Sequence, residues 1–465
     1  GGNVVIGNEA GNAINNSGAD YNVIIGISAG QGGTGAMADC IAIGRDAMKS
    51  TSTSGQTGTI AIGTRALEDL TSGTGNIGIG YLALANSTTN EGNVAIGYNA
   101  METAAHADAD YNTAIGYQAG VGLTEGASNV FVGALAGDSV TTGDHNVFVG
   151  ESAAKTTLLA SGMVVLGRDA MSSATQTTAC NYTVAIGYGS MQHLSSGAGN
   201  TSLGYLALQD NADGDKNTAI GYQALKEFEA DADGHGRNTA VGMDAGREMT
   251  TGTENTIIGS EACVSMTTGD SNTVIGAQAL GGANGDEDDN TVVGHNAGAS
   301  IDNGNQNVLI GSDTDVNTAT GTNQIVIGHG ATGGGNDVAT IGNTSLTDLY
   351  AGQNKQARVW GGKLQVGSPA ETPALGIQSD VNDIVQHMDN GATSGNVYIA
   401  KWKFTGKSPD DNTSYFVKME DAGADKVQIW SDGDINNADN AYGSISDKRI
   451  KQGIRDANSQ WDDIK

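Results

Sequence analysis

The sequence predicts an all-β protein whose larger part is a parallel β-solenoid, a β-roll with 17-residue coils, followed by a small β-rich domain. A short unit such as KNTAIGYQAL (216–225) recurs along most of the chain, most often after 17 residues. A fixed short period of this kind is the signature of a solenoid. The 465 residues include 71 glycines but only 5 Phe and 4 Trp, which is a poor composition for a globular core of bulky side chains.

Each repeat is defined by a central glycine. Ile, Val or Leu precedes this glycine in all twenty copies, Val, Ile or Thr stands three residues before it in nineteen, and Ala stands three residues after it in seventeen. Seventeen residues are too few for a helix pair or a propeller blade but suit one coil of a β-solenoid. We expect the alanine to pack at a corner of the coil. The central glycines are residues 7, 26, 44, 63, 80, 97, 116, 133, 150, 167, 187, 204, 221, 242, 259, 276, 294, 311, 328 and 342.

The three residues before the central glycine predict a short strand. Its first and third residues share one face, and we expect that face, including the threonines that run from Thr201 to Thr291, to fill the interior of the coil. A strand without polar alternation is covered on both faces, so we expect its middle residues to meet identical neighbouring chains. The sequence therefore predicts a parallel homotrimer. The small or apolar middle residues include Ala219, Phe131, Phe148, Val274, Val292 and Leu309.

Two further positions of the repeat have a marked preference. Asn stands four residues before the glycine in fourteen copies, including Asn112, Asn217 and Asn272. Stacked coils would turn these into an asparagine ladder whose amides bond along the stack, although asparagine is also simply common in turns. Tyrosines that directly follow the glycine either stack on sugar rings or pack with one polar tip in water. These are Tyr81, Tyr98, Tyr117, Tyr188, Tyr205 and Tyr222.

The formal net charge of −30 argues against nucleic acid as a partner, because a polyanion would repel the chain. Cys40, Cys180 and Cys263 form neither a disulfide framework nor a metal-ligand spacing. No apolar run approaches the roughly 20 residues of a membrane span, so no membrane insertion is expected. The chain begins within a repeat and without Met, so we expect it to be part of a longer protein.

Acidic residues concentrate in the loops between the repeats, where carboxylates with Gly and Asn could bind Ca²⁺. The best candidates are Asp231 and Asp233 in one loop, and Asp432 and Asp434 in another. Neither loop has the glutamate that completes an EF-hand. The alternative is a solvated loop whose charge keeps an elongated protein soluble, and no other cofactor is expected.

Beyond residue 342 the repeat stops, and all four Trp and all three Pro lie there. Ile, Val and Met at helical spacing in 377–388 favour a short helix, and three alternating segments favour an antiparallel β unit. We expect four segments: a repeat shaft at 1–345, a neck at 346–395, a small antiparallel domain at 396–445 with strands at 396–404, 414–419 and 426–430, and a final segment at 446–465.

The NxAIGxxA units resemble the head repeats of trimeric autotransporter adhesins, and the NTAIGYQAL runs are similar to those of bacteriophage tail fibres. The resemblance covers residues 1 to about 345 and implies a left-handed parallel β-roll in a trimer. The 17-residue coil is longer than the coil usual in adhesin heads and leaves room for a longer outer loop.

The final stretch YGSISDKRIKQGIRDANSQWDDIK (442–465) resembles the start of the intramolecular chaperone domain of phage endosialidases, tail spikes and tail fibres. That domain trimerises the fibre and then cuts itself off. The resemblance implies that Ser446, with Asp447 beside it, is the nucleophile, that Lys451 is the base, and that the bond Ile445–Ser446 is cut. A hydroxyl nucleophile needs such an adjacent base. By itself, SDKRIK could instead begin a helix with Ser446 as its N-cap.

These resemblances lead us to expect a structural, host-attaching fibre of a virion tail, extracellular and not an enzyme apart from self-cleavage. Its partners would be its own copies, a host cell-surface glycan or protein, and other virion tail proteins. One alternative is a cell-surface trimeric adhesin, which needs a C-terminal membrane anchor. Another is a carbohydrate-degrading tail spike, which needs two convergent carboxylates.

Overall fold

The computed structural model describes residues 1–346, apart from 16, 33–35, 51–54, 105, 174–179 and 230–235, and three strands between 415 and 437. The chain divides into two units, Gly1–Tyr350 and Ala351–Lys465. Among the described residues, no helix has the length and hydrophobicity needed to cross a membrane.

The first unit is a parallel β-solenoid, as predicted. Twenty three-residue strands, one per coil, form a single parallel sheet. Neighbouring strands pair like with like, for example Thr218 with Thr239 and Ile220 with Val241. The strands are β1 Val4–Ile6, β2 Val23–Ile25, β4 Ile41–Ile43, β6 Ile60–Ile62, β7 Ile77–Ile79, β8 Val94–Ile96, β9 Thr113–Ile115, β10 Val130–Val132, β11 Val147–Val149, β12 Val164–Leu166, β13 Val184–Ile186, β14 Thr201–Leu203, β15 Thr218–Ile220, β16 Thr239–Val241, β17 Thr256–Ile258, β18 Thr273–Ile275, β19 Thr291–Val293, β20 Val308–Ile310, β21 Ile325–Ile327 and β22 Ala339–Ile341.

Three short elements lie outside this stack. A 3₁₀ helix covers Asn12–Asn15. The two-residue strands β3 Met37–Ala38 and β5 Gln56–Thr57 pair in parallel with each other.

The strands point their middle residues into the coil, so the predicted orientation of the strands is wrong. Ala219 is fully buried within one chain, whereas Ile220 beside it is 36% exposed and Thr218 is half-buried. The threonines from Thr201 to Thr291 therefore lie on the outer surface. The other named middle residues are equally buried: Phe131, Phe148, Val274, Val292 and Leu309.

The middle residues face the interior because the chain turns back after each central glycine. Gly221 has a φ of +143°, and a Cβ there would lie 2.1 Å from the carbonyl oxygen of Gly242 in the next coil. Only glycine accepts this close approach and backbone angle. The wall that follows brings Ala224 and Leu225, both fully buried, into the coil interior with Ala219.

The interior is filled by complementary side chains on its two walls. Phe131, on the strand wall, lies between Gly120 and Gly137, which stand four residues after their central glycines. A Cβ on either glycine would come within 2.6–2.8 Å of the Phe131 ring. The reverse arrangement occurs at Gly78 on the strand wall, where an added Cβ would lie 3.1 Å from Leu67 Cγ. A bulky residue on one wall is thus matched by a small one opposite, as close packing requires.

The predicted asparagine ladder is confirmed. The Asn129 amide nitrogen donates to Asn112 Oδ1 at 3.0 Å and to the Gly143 carbonyl at 2.9 Å. Asn129 Oδ1 in turn accepts from the backbone and side-chain nitrogens of Asn146, both at 3.0 Å. The same pattern continues between Asn200 and Asn307, for example from Asn272 to Asn255. These buried amides satisfy one another and hold successive coils in register.

The second unit contains three described strands, β23 Tyr415–Asp421, β24 Ala424–Trp430 and β25 Ile435–Asn437. They pair antiparallel in chain order. The first two overlap the strands predicted at 414–419 and 426–430. The strand predicted at 396–404 and the helix predicted at 377–388 lie outside the described residues.

Candidate functional site on the outer surface of the solenoid

The predicted catalytic and metal-binding residues lie outside the described part of the chain. Within the described part, no group of three or more His, Cys, Asp or Glu side chains could hold a metal ion. The predictions for the self-cleavage residues and for calcium therefore stay predictions. The residues concerned are Ile445, Ser446, Asp447 and Lys451 for cleavage, and Asp231, Asp233, Asp432 and Asp434 for calcium.

An extended apolar surface of the solenoid is formed by the first and third residues of the twenty stacked strands, here called the outer face. Its third residues are large and partly exposed, for example 36% in Ile220, 46% in Leu203 and 59% in Ile6. Its first residues are Val, Ile or Thr in nineteen strands. At about 4.8 Å per coil, the outer face extends over roughly 90 Å. Contiguous apolar surface of this size marks an interaction site.

The six tyrosines that follow the central glycine form two stacks beside the outer face, here called the tyrosine ladders. Ring centroids are 5.0 Å apart between Tyr81 and Tyr98 and 5.5 Å apart between Tyr98 and the next ring. The second ladder, centred on Tyr205, has spacings of 5.4 and 5.1 Å. The middle ring of each ladder is covered on both faces, so the geometry favours packing over sugar stacking at these positions.

Some acidic side chains outside the core have a structural role that was not predicted from the sequence. Asp144 accepts a hydrogen bond from the backbone nitrogen of Ala127 at 2.7 Å, and Asp270 accepts one from Thr253 at 2.6 Å. Both acids stand six residues before a central glycine, where Asp, Asn or Ser recurs along the chain. This recurrence is the sequence feature from which the structural role could have been predicted. These side chains bond the loop of one coil to the loop of the preceding one.

One carboxylate among the described residues is fully buried. Glu287 accepts hydrogen bonds from the backbone nitrogens of Asn284, Gly285 and Asn303, at 2.9–3.3 Å. Burial, and to a lesser extent the charge of Glu287, raises the pKa of the Cys263 thiol well above its ordinary value. Burial likewise raises the pKa of Cys40. Both thiols are therefore protonated at neutral pH and shielded from solvent, which makes them poor nucleophiles.

The chain matches no protein-family model and no curated protein. The described residues themselves define the architecture of the first unit, which is a long β-solenoid with a buried asparagine ladder and an apolar outer face.

Proposed function

We propose that the protein is the shaft of a trimeric, host-attaching fibre of a virion tail. The outer face carries this proposal, since it exposes large apolar residues along the whole stack of coils in a single chain. Burial of apolar area is worth roughly 25 cal/mol per Å², so such a face favours association with identical copies. The resemblance of the repeats to tail fibres and adhesin heads favours three copies around an axis.

The remaining surface supports an extracellular role at the end of a virion. The formal net charge of −30 keeps a long particle soluble and monodisperse. A solenoid of roughly 90 Å provides reach between the virion and the host surface. The partners we propose are a host-surface glycan or protein and other proteins of the tail.

Assembly is tested by replacing Ile220 and Ile258 of the outer face with Asp. Static light scattering of the unmodified chain should give three times its 47.0 kDa mass. In a trimer each replacement brings three carboxylates together, and burying unpaired charge costs several kcal/mol apiece. The double variant should therefore be a folded monomer. Leu159→Asp, at 44% exposure away from the outer face, is the control and should remain trimeric. A monodisperse, unmodified monomer would contradict the proposal.

Location is tested with an antiserum raised against residues 1–345. Immunogold labelling of a lysate containing the virions should mark their tails. Labelling of the bacterial surface, with bare virions, would favour the cell-surface adhesin instead.

We also propose that the gene product containing the whole chaperone domain is cut between Ile445 and Ser446 after trimerisation. Mass spectrometry should find a released piece that begins SDKRIKQGI. Ser446→Ala removes the nucleophile and Lys451→Ala removes the base, so each variant should stay uncut yet trimeric. Unchanged cleavage in the Ser446→Ala protein would contradict the assignment and would favour the alternative, in which SDKRIK begins a helix with Ser446 as its N-cap.

A further inference from the structure

Three tyrosines outside the ladders share an unusual environment. Tyr21, Tyr111 and Tyr182 each stand five residues before a central glycine. Their exposed fractions are 70%, 64% and 76%, against 40–51% for the ladder tyrosines. Other copies of the repeat have Gly, Asp, Ser, His, Lys, Arg, Glu, Gln or Asn at this position, so the coil itself does not require an aromatic ring there.

Each of these rings rests on a glycine of the preceding coil. A Cβ on Gly92 would lie 2.7 Å from Tyr111 Cδ1, and a Cβ on Gly162 would lie 2.8 Å from Tyr182 Cδ1. At Gly2 the corresponding distance to Tyr21 Cδ1 is 2.9 Å. Each ring therefore lies against the bare backbone of a glycine, and any other residue in place of the glycine would displace it. We call Tyr21, Tyr111 and Tyr182 the glycine-backed tyrosines.

The high exposure of the three tyrosines indicates that the opposite face of each ring is open. The residues at the same position of the following coil are Asp39, Ser128 and Gly199, all short. At Gly199, a Cβ would have only Lys216 Cγ within 4 Å and no atom of Tyr182. Tyr182 therefore leans onto the preceding coil and leaves a gap in front of its free face. The middle rings of the ladders, Tyr98 and Tyr205, have no such gap, because another ring lies on each of their faces.

A supported ring with one open face matches the C–H face of a pyranose sugar, whose partly positive hydrogens meet the negative face of the aromatic ring. Polar groups stand beside the ring as well. Asp110 Oδ1 accepts from the Glu91 backbone nitrogen at 2.7 Å, and Asn181 Oδ1 accepts from that of Ser161 at 2.7 Å. Each side chain has a second polar atom with which it can bond a sugar hydroxyl.

We propose that the glycine-backed tyrosines bind neutral hexose or N-acetylhexosamine units of a surface polysaccharide. This deepens the attachment role proposed above and rests on it. The strongly acidic surface repels anionic sugars, and a single flat ring lacks the enclosing cage that recognises quaternary ammonium groups. The three tyrosines stand five and then four coils apart on one row, about 24 and 19 Å. A long polysaccharide that engages more than one of them gains avidity.

The test is calorimetric titration of the whole chain with three neutral probes, the β1,4-linked hexasaccharides of glucose, galactose and N-acetylglucosamine. One variant set replaces all three glycine-backed tyrosines with Ala. A second set, Asp39→Tyr, Ser128→Tyr and Gly199→Tyr, keeps them but places a new ring on each open face. The backbone permits this, because φ at these three residues is +57° to +66° and the native tyrosines have +58° to +62°.

At least one neutral probe should bind the unmodified chain, and both variant sets should weaken that binding about ten-fold or more. The control, Tyr98→Ala with Tyr205→Ala, removes the middle rings of the ladders and should leave binding unchanged. The inference is overturned if no neutral probe binds, if hexameric sialic acid or choline binds more tightly, or if the control loses binding equally. Tail labelling by the antiserum is independent of these outcomes, so the proposed function can stand while this inference fails.

Discussion

The inside and the outside of the solenoid follow different rules, although both are built from the same three-residue strands. Inside, side chains vary in size, and a bulky residue can be matched by a small one across the coil, as Phe131 is by Gly137. Outside, the strand residues are nearly uniform, with Val, Ile or Thr first and Ile, Val or Leu third. Variation is therefore tolerated where one chain can compensate for it within itself.

Uniformity on the outer face indicates a different constraint. A surface that packs against copies of itself cannot compensate for a change in one residue by a change at another site nearby, because the partner carries the same change. The inner rows determine the stability of the coil, whereas a uniform outer face is what the proposed assembly of identical copies requires. The following substitutions test this division.

The largest effect is expected at Ala219→Asp. Ala219 is fully buried within one chain, so the new carboxylate would be buried without a partner at a cost of several kcal/mol. The coils around it should unfold locally, which increases the hydrogen exchange of their amides. Ile220→Asp, one residue away on the outer face, should leave exchange in an isolated chain close to that of the unmodified protein. Equal hydrogen exchange in the two variants would show that the middle and third positions of the strand do not differ in their environment.

A smaller loss is expected at Asn129→Ala in the asparagine ladder. The substitution leaves the backbone nitrogen of Asn146 and the side chains of Asn112 and Asn146 short of partners inside the coil. Each buried group left unsatisfied costs about 1–3 kcal/mol. The matched control is Asn296→Ala, which removes an exposed bond to Asp313 and should cost less than about 1 kcal/mol. Hydrogen exchange of the coils on either side measures both, and similar changes would show that the ladder adds no stability.

Much of the solenoid could be predicted from the sequence, because a repeat with one strand per period leaves few alternatives. The coil length, the parallel stacking and the asparagine ladder follow from the spacing of Gly and Asn. The orientation of the strands did not follow, since middle and flanking residues are all apolar or small and alternation is absent. The matching of Phe131 with Gly137, and of Gly78 with Leu67, was the signal that could have decided the orientation of the strands.

The outer surface was harder to predict for a physical reason. A tyrosine's environment depends on its neighbour one coil away, about 17 residues distant in sequence, and not on adjacent residues. Tyr98 and Tyr111 are close in the chain, yet Tyr98 is stacked between two rings, whereas Tyr111 lies against Gly92 and is 64% exposed. Only alignment of the coils shows the difference. The self-cleavage residues rest on resemblance and lie outside the described residues.

The smallest effect, and the only expected gain, concerns an interruption of the ladder at Thr183. This residue takes the place of asparagine four residues before a central glycine and is fully buried, and its hydroxyl oxygen has no hydrogen-bond partner. An asparagine there could donate to the carbonyl of Gly197, the position that accepts from the ladder in other coils, and accept from the backbone nitrogen of Asn200. Two new bonds at about 1 kcal/mol each, less the entropy of ordering a longer side chain, leave a gain of about 1 kcal/mol. Thr183→Asn should therefore slow hydrogen exchange in residues 184–203. The control is Thr183→Val, which removes the hydroxyl and adds no ladder bond. It shows how much of the gain comes only from removing the unpaired oxygen. If the Val variant slows exchange as much as the Asn variant does, removal of the unpaired hydroxyl accounts for the gain, and the ladder bonds contribute nothing at this coil.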